Sequence, residues 1–412
     1  MSEATAGAGG AALVLAGGGA RGAYEIGALS VLLPRLKGQV KLILGTSVGA
    51  FNAAYLASNW EKSAQRIVDG GCELWRGLRF GDVLAPVVSP GGLGRFLRYV
   101  GEFLALPRVD APSLLDPKPL LGTIAREVRF DQLHRNVDSE RLSAVATVAT
   151  SAYTNRSVVF HRGGAPDQPQ DPERAIDYVP LAELEAQHVL ASGAIPALFP
   201  AVQVTAPTAA AGWYSDGGTR LNTPIKPALW LGAERVIVIA LNAVTPTRTP
   251  PPDRQPDFFA GAAQLAQAVL GDPLAQDVRT LARKNTLVRK AQPAGGRARD
   301  PLRSVPYIFV APEDPDAIGK IARDVYNDSY AGLRRAPSAR DLWLLGHSLN
   351  AGEDAIHGEL LSYLFFAPEF AEALLRQGQL DAQRWVGDHP GLWTEDPLPA
   401  WAQAEPLPST SP

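Results

Sequence analysis

The chain has 412 residues, of which 46% are hydrophobic and 20% charged, a composition that excludes a disordered polymer and leaves room for one large or two ordinary domains. Its 39 basic residues against 42 acidic ones give a formal charge of -3, the wrong balance for a protein that must neutralise many phosphates, so no nucleic-acid partner is expected. The single cysteine, Cys72, rules out an intrachain disulfide and an all-cysteine metal site, and is expected to be a small buried residue in a reducing compartment.

The N-terminal stretch "MSEATAGAGGAALVLAGGGA" carries no Lys or Arg before Arg21, so the basic region that opens a secretory signal is missing. No stretch reaches the roughly 20 apolar residues that a membrane-crossing helix needs. The expected location is therefore cytoplasmic, with any membrane met peripherally, from outside.

In chain order, Ala12 to Ala16 read as a short strand running into glycines. A helical pattern follows in Tyr24, Ile26, Ala28, Leu29, Leu32 and Leu33 and is expected to stop near Pro34. "VKLILG" is a second strand, and "TSVGAFNAAYLASNW" a second helix rich in small residues. Two strand-helix units in succession imply a mainly parallel sheet with helices on its faces. "GLGRFLRYVGEFLAL" sets Leu93, Phe96, Leu97, Val100, Phe103 and Leu104 on one helical face, readable as a helix packed on the core or as the wall or lid of an apolar cleft. Helices are expected at Lys118 to Glu127, around Pro180 to Ala194 and at Thr223 to Leu231, and strands at "RLSAVATVATSAYT", "SVVFHRGG" and "ERVIVIALNA". "GGAPDQPQDPERA" and "APTAAAGW" read as loops. "VTPTRTPPPDRQP", Val244 to Pro256, has five prolines and reads as a linker. Beyond it helical patterns dominate, apart from the strand-like "VPYIFVAP", which is placed to join the sheet. Arg279 to Arg303 hold eight Lys or Arg against one Asp, either a solvated loop or a seat for anionic headgroups. The expected division is residues 10-245, a mostly helical extension over 246-386, and a tail over 387-412.

Two motifs carry chemistry. Gly17, Gly19 and Gly22 fit G-x-G-x-x-G between a strand and a helix, the pattern of a dinucleotide loop. A dinucleotide domain would also need an acidic residue at the end of the second strand, where Gly45, Thr46 and Ser47 stand instead. No G-K-[ST] follows the glycines, so a phosphate loop is missing too. What remains is a cradle of backbone N–H groups for a developing oxyanion. Gly45, Ser47 and Gly49 form G-x-S-x-G between the second strand and its helix, the context of a nucleophile elbow; an N-cap serine in a Gly-rich turn fits the same residues. For a base, the order Ser47, Asp216 and His347 or His357 imitates a hydrolase triad, but too few strands precede Ser47 for that fold. The six histidines read as surface or packing residues. Asp216, in "YSDGG", is either an Asp-Gly turn or a carboxylate poised to take a serine proton without histidine, provided burial raises its proton affinity.

Taken together, the GGGxRG loop at Gly17 to Gly22, G-T-S-V-G at Gly45 to Gly49 and D-G-G at Asp216 to Gly218 resemble the patatin-like phospholipase family. "ASGAIPALFPAV", "SLLDPKPLLGTI" and, more faintly, "LLRQGQLDA" are similar to further blocks of it. The resemblance covers about residues 10 to 245. It implies an α/β fold, a three-layer α/β/α sandwich with a mainly parallel central sheet, here followed by a mostly helical C-terminal extension. It implies hydrolysis of lipid acyl esters of the phospholipase A or lysophospholipase type, with Ser47 as nucleophile, Asp216 as base, and the N–H groups of Gly17, Gly18 and Gly19 as oxyanion hole. Arg21, Gly22, Gly45, Gly49, Gly217 and Gly218 support the motifs, with Arg21 either filling the family's basic position or fixing the loop by hydrogen bonds to carbonyls. No metal or cofactor is implied, and the expected partner is a lipid or acyl-ester substrate. The rival expectation is a catalytically idle lipid-binding or regulatory protein that keeps the fold.

Overall fold

The computed structural model describes residues 10–85, 118–165, 170–171, 175–196, 198–244, 261, 272–291, 304–332, 340–352 and 354–396. Strand β1 (Ala11–Leu15) is buried along its whole length, as a strand covered on both faces must be. A 3-10 turn (Gly19–Gly22) leads into α1 (Ala23–Leu36), and β2 (Val40–Thr46) with α2 (Val48–Ser58) repeats the unit. The two strands pair in parallel, because the intervening helix returns the chain to the same end of the sheet. Next come α3 (Ala64–Gly77), α4 (Phe80–Val83), α5 (Lys118–Glu127) and α6 (Phe130–Asp138). Strands β3 (Ala144–Ser151), β4 (Ser157–Gly163), β5 (Gln170–Asp171) and β6 (Ile176–Pro180) then run to α7 (Ala186–Ser192). After β7 (Val202–Val204), β8 (Gly212–Asp216), α8 (Ile225–Trp230) and β9 (Arg235–Ile239), the C-terminal region holds α9 (Asp272–Ala291), β10 (Tyr307–Val310), α10 (Ala317–Ser329), α11 (Arg340–Ser348), α12 (Ala355–Ser362) and α13 (Pro368–Asp388).

Among the described residues these strands make one sheet in the order β10-β9-β1-β2-β3-β4-β6-β5, with β8 on β3 and β7 on β8. The five strands β10 to β3 are mutually parallel, and helices flank the sheet as in the expected three-layer α/β/α sandwich. Helix α1 packs with α3 and α13, while α2 packs with α6 and α7. One departure from parallel order positions the site. Strand β2 pairs with β3 only as far as Thr46↔Val148, and β8 pairs antiparallel with the next residues, Ala149 to Ser151. The other edge of those residues is held by β4. Strand β8 therefore takes the place beside β3 that β2 vacates at its end.

Several expectations are corrected. Helix α1 does not stop at Pro34 but runs through it to Leu36; a proline in the last turn removes one hydrogen bond, and burial of Leu36 carries the chain on. The helix expected over Pro180 to Ala194 is only Ala186–Ser192. Residues before it form β6, parallel to β4, because Ile176 and Tyr178 alternate inward. Gln170 and Asp171 of the expected polar loop pair with β6, and β7 has too short an apolar pattern to be read. Cys72 is half-buried rather than buried.

Strand β10 does join the sheet beside β9. The segment expected to begin a tail at residue 387 is instead held at that edge: Thr394 bridges to Tyr307, Tyr307 Oη donates to the Asp396 carbonyl and Trp385 Nε1 to that of Leu392. Helix α13 lies so close on α1 that a methyl group added at Gly378 would run into the Tyr24 carbonyl, and one at Gly27 into that of Leu375. The buried Tyr24 hydroxyl donates to Asp381 at 2.8 Å across this contact. The linker expected beyond Val244, the helix expected at Leu93 to Leu104 and the part of the basic stretch after Ala291 lie outside the described residues.

Candidate active site

The site is assembled at the carboxyl ends of β1 and β2. Ser47 sits between β2 and α2 at φ 55° and ψ -123°, a strained conformation for a residue with a side chain. The turn holds because glycine flanks it: a methyl group at Gly45 would meet the carbonyl of Gly49, and one at Gly49 the carbonyl of Leu15. Two side chains fix the bend. Ser47 N–H donates to Ser192 Oγ at 2.8 Å, and Thr46 Oγ1 donates to the Leu221 carbonyl at 3.0 Å. Gly22 is equally constrained, lying where a side chain would strike Trp75 and Val48.

Asp216 ends β8 opposite Ala149, directly beyond the point where β2 leaves β3. That register brings two residues 169 positions apart into contact: Ser47 Oγ donates to Asp216 Oδ2 at 2.7 Å. The other carboxylate oxygen accepts the Gly218 N–H at 2.6 Å. Gly217 has no room for a side chain because its Cα faces the Val148 carbonyl. Asp216 is 4% exposed, and this burial pushes its carboxyl up to about 6, against hydrogen bonds from Ser47 and Gly218 that pull it down. At neutral pH it is thus an anion with a proton affinity far above that of a surface aspartate, able to accept a proton from the hydroxyl it touches.

No histidine takes part. His347 stacks on Trp343, His357 bonds to Asp354, and His188 reaches the Ala206 carbonyl. His161, His134 and His389 are likewise engaged with backbone groups.

The glycine loop lies against Ser47, with a Cβ built on Gly17 only 3.0 Å from that of Ser47. Here the structure corrects one residue of the expected cradle. The Gly17 N–H is already committed to Asn222, donating to its Oδ1 at 3.0 Å and its carbonyl at 3.3 Å, so it is not available to an oxyanion. Among the described residues the N–H groups of Gly18 and Gly19 have no partner, nor has that of Val48 at the start of α2. Gly19 takes φ +61°, a left-handed conformation that glycine adopts without strain.

Ser47 and Gly19 open onto a cleft whose walls include Phe51, Trp75, Ile124 and Phe199. A lining this apolar suits a hydrocarbon chain. Arg21, on the loop's far side, is buried and bonded to residues of the C-terminal region. Asn222, which holds the glycine loop, carries no motif and has only its adjacency to the D-G-G loop as a signal, whereas Ser192, which holds the elbow, lies within the block "ASGAIPALFPAV".

The family model described as Patatin-like phospholipase matches residues 13–229, more than half of the chain. No curated protein matches it. Among solved structures, VipD from Legionella pneumophila shares 12% identity over 94% of this chain and 70% of its own, with a TM-score of 0.33. Human GIVD cytosolic phospholipase A2 shares 13% over 93% of this chain, with a TM-score of 0.43, and the chain spans 60% of that enzyme's length. The ExoU–SpcU complex of the Pseudomonas aeruginosa type III secretion system gives 15%, 91% and 76%, with a TM-score of 0.28. All three scores lie below 0.5, and the match over 13–229 carries the assignment.

Proposed function

The chain belongs to the patatin-like phospholipase family, and from that premise we propose that it is a serine hydrolase of lipid acyl esters working through Ser47 and Asp216. The observation that carries the reading is the 2.7 Å hydrogen bond from Ser47 Oγ to a buried carboxylate, at the mouth of an apolar cleft. As Ser47 Oγ attacks the ester carbonyl, its proton passes to Asp216 Oδ2. The carbonyl oxygen takes up the negative charge against the N–H groups of Gly18 and Gly19. Collapse of the tetrahedral adduct breaks the bond to the leaving alkoxide, which takes the proton from Asp216, and the acyl group stays on Ser47. Water then attacks the acyl-enzyme with Asp216 again as base, releasing the fatty acid and restoring Ser47. Each removed oxyanion donor costs on the order of 10²–10³ in rate in enzymes of this type.

In this reading residues 10–245 are the catalytic domain, and the protein is cytoplasmic and meets its lipid from the membrane surface. The test is turnover of a panel of phospholipids, lysophospholipids and short esters by the wild type beside Ser47→Ala. Fatty-acid release by the wild type alone supports the reading. A folded wild type that binds lipid vesicles, releases no fatty acid and takes no fluorophosphonate label would make it an idle lipid-binding protein.

A further inference from the structure

The family match stops at residue 229, yet the loop that carries the candidate oxyanion donors is anchored on residues well beyond it. Arg21 stands two residues after Gly19, and its side chain is 1% exposed. Its Nε donates to Ser362 Oγ at 2.7 Å, Nη1 to Asn242 Oδ1 at 2.7 Å and Nη2 to the Glu359 carbonyl at 3.0 Å. Nη2 also pairs with Glu359 Oε1 at 2.7 Å, and the guanidinium lies 3.7 Å from the centre of the Tyr363 ring. A planar five-donor fork can hold such a set at once, whereas an ammonium cannot.

Backbone contacts make the same connection. Ala20 N–H donates to the Tyr363 carbonyl at 2.9 Å, and Gly19 lies so close to that carbonyl that a side chain there would collide with it. Past Tyr363 the chain forms cleft wall: Tyr363, Leu364 and Phe366 line the same cavity as Ser47 and Gly19. Helix α12 is itself seated on α10, with Gly319 and Gly358 allowing the two backbones to touch. Helix α12, braced by α10, thus stands directly behind the glycine loop.

We propose that Arg21 is a positioning residue which, through Glu359, Ser362 and Tyr363, makes the segment 355–366 part of the active site by holding the Gly18 and Gly19 amides in place. The inference rests on the proposed function, since it concerns donors to an oxyanion formed at Ser47. A misplacement of about 1 Å in such a group can cost on the order of 10² in rate. Arg21→Lys keeps a positive charge and loses the fork. Glu359→Ala removes the ion-pair partner from a position closer to the surface.

Both variants are assayed on a soluble acyl ester, with active sites counted by fluorophosphonate titration so that a misfolded fraction does not register as slow turnover. The expected result is kcat per titrated site lowered about 10²-fold in Arg21→Lys and about tenfold in Glu359→Ala. KM should stay within threefold, and the double variant should be no worse than Arg21→Lys alone, as for two residues acting as one unit. If Arg21→Lys does not fold, Glu359→Ala decides. A folded variant with kcat per site within twofold of wild type overturns the proposal. Turnover retained by Ser47→Ala in the same assay would instead overturn the reading of Ser47, a separate outcome.

Discussion

Replacing Asp216 by Asn should make the protein more stable and less active at once. Burial raises the Asp216 carboxyl from the ordinary 3.8 to about 6, so the folded state holds its proton more tightly than the unfolded chain does. A carboxyl raised in this way has its stabilising share intact below the unfolded value, and that share is lost as pH climbs through the folded one. A shift of about two units corresponds to about 3 kcal/mol, charged to the folded protein above pH 6. Asn escapes the charge while keeping the geometry: its Oδ1 can accept the Gly218 N–H as before, and its Nδ2 can donate to Ser47 Oγ, reversing the present bond. The assay is denaturant unfolding of both proteins at intervals from pH 4 to 8. The stability difference should grow in favour of Asn by about 3 kcal/mol between pH 4 and 6 and then level off, while ester turnover at pH 7.5 falls by about 10²–10⁴. A difference flat across the whole range would refute the buried-carboxylate argument, and wild-type turnover in Asp216→Asn would remove the base.

The same ionisation sets the pH profile of the wild type: kcat/KM should be level above pH 7 and fall tenfold per unit below about pH 6, with a limb that persists to pH 4.5 pointing to another base. At the α1–α13 contact, Gly378→Ala places a methyl against the Tyr24 carbonyl and should lower unfolding free energy by about 1–3 kcal/mol. Unchanged thermal unfolding in that variant would show that α13 is not packed as described.

Much of this was readable from sequence because the chemistry depends on local backbone demands. Gly45 and Gly49 flank a serine that must turn, and Gly217 abuts a carbonyl; such needs leave glycine at fixed spacings. The central strands were legible for a related reason, being buried on both faces and hence continuous apolar runs. What escaped depended on distant partners. Nothing beside Gly17 announces that Asn222 takes its N–H, since the two meet only when β8 replaces β2 alongside β3. The anchoring of Arg21 on Glu359 and Ser362 is equally silent, because α12 has no motif and its role comes from where α10 seats it. Strands β5 and β7 are too short to establish a period, and the extension after residue 387 is held by hydrogen bonds to Tyr307 and Trp385 that leave no pattern.

The central claim is that the Ser47 hydroxyl, activated by Asp216, attacks acyl carbonyls. Its most direct measurement is mass-spectrometric mapping of the adduct formed with a fluorophosphonate at pH 7.5. One adduct per chain on Ser47, absent from Ser47→Ala and formed about 10²-fold or more slowly in Asp216→Asn, is the expected result. A wild type that stays unlabelled while folded, or an adduct that persists in Ser47→Ala, would contradict it.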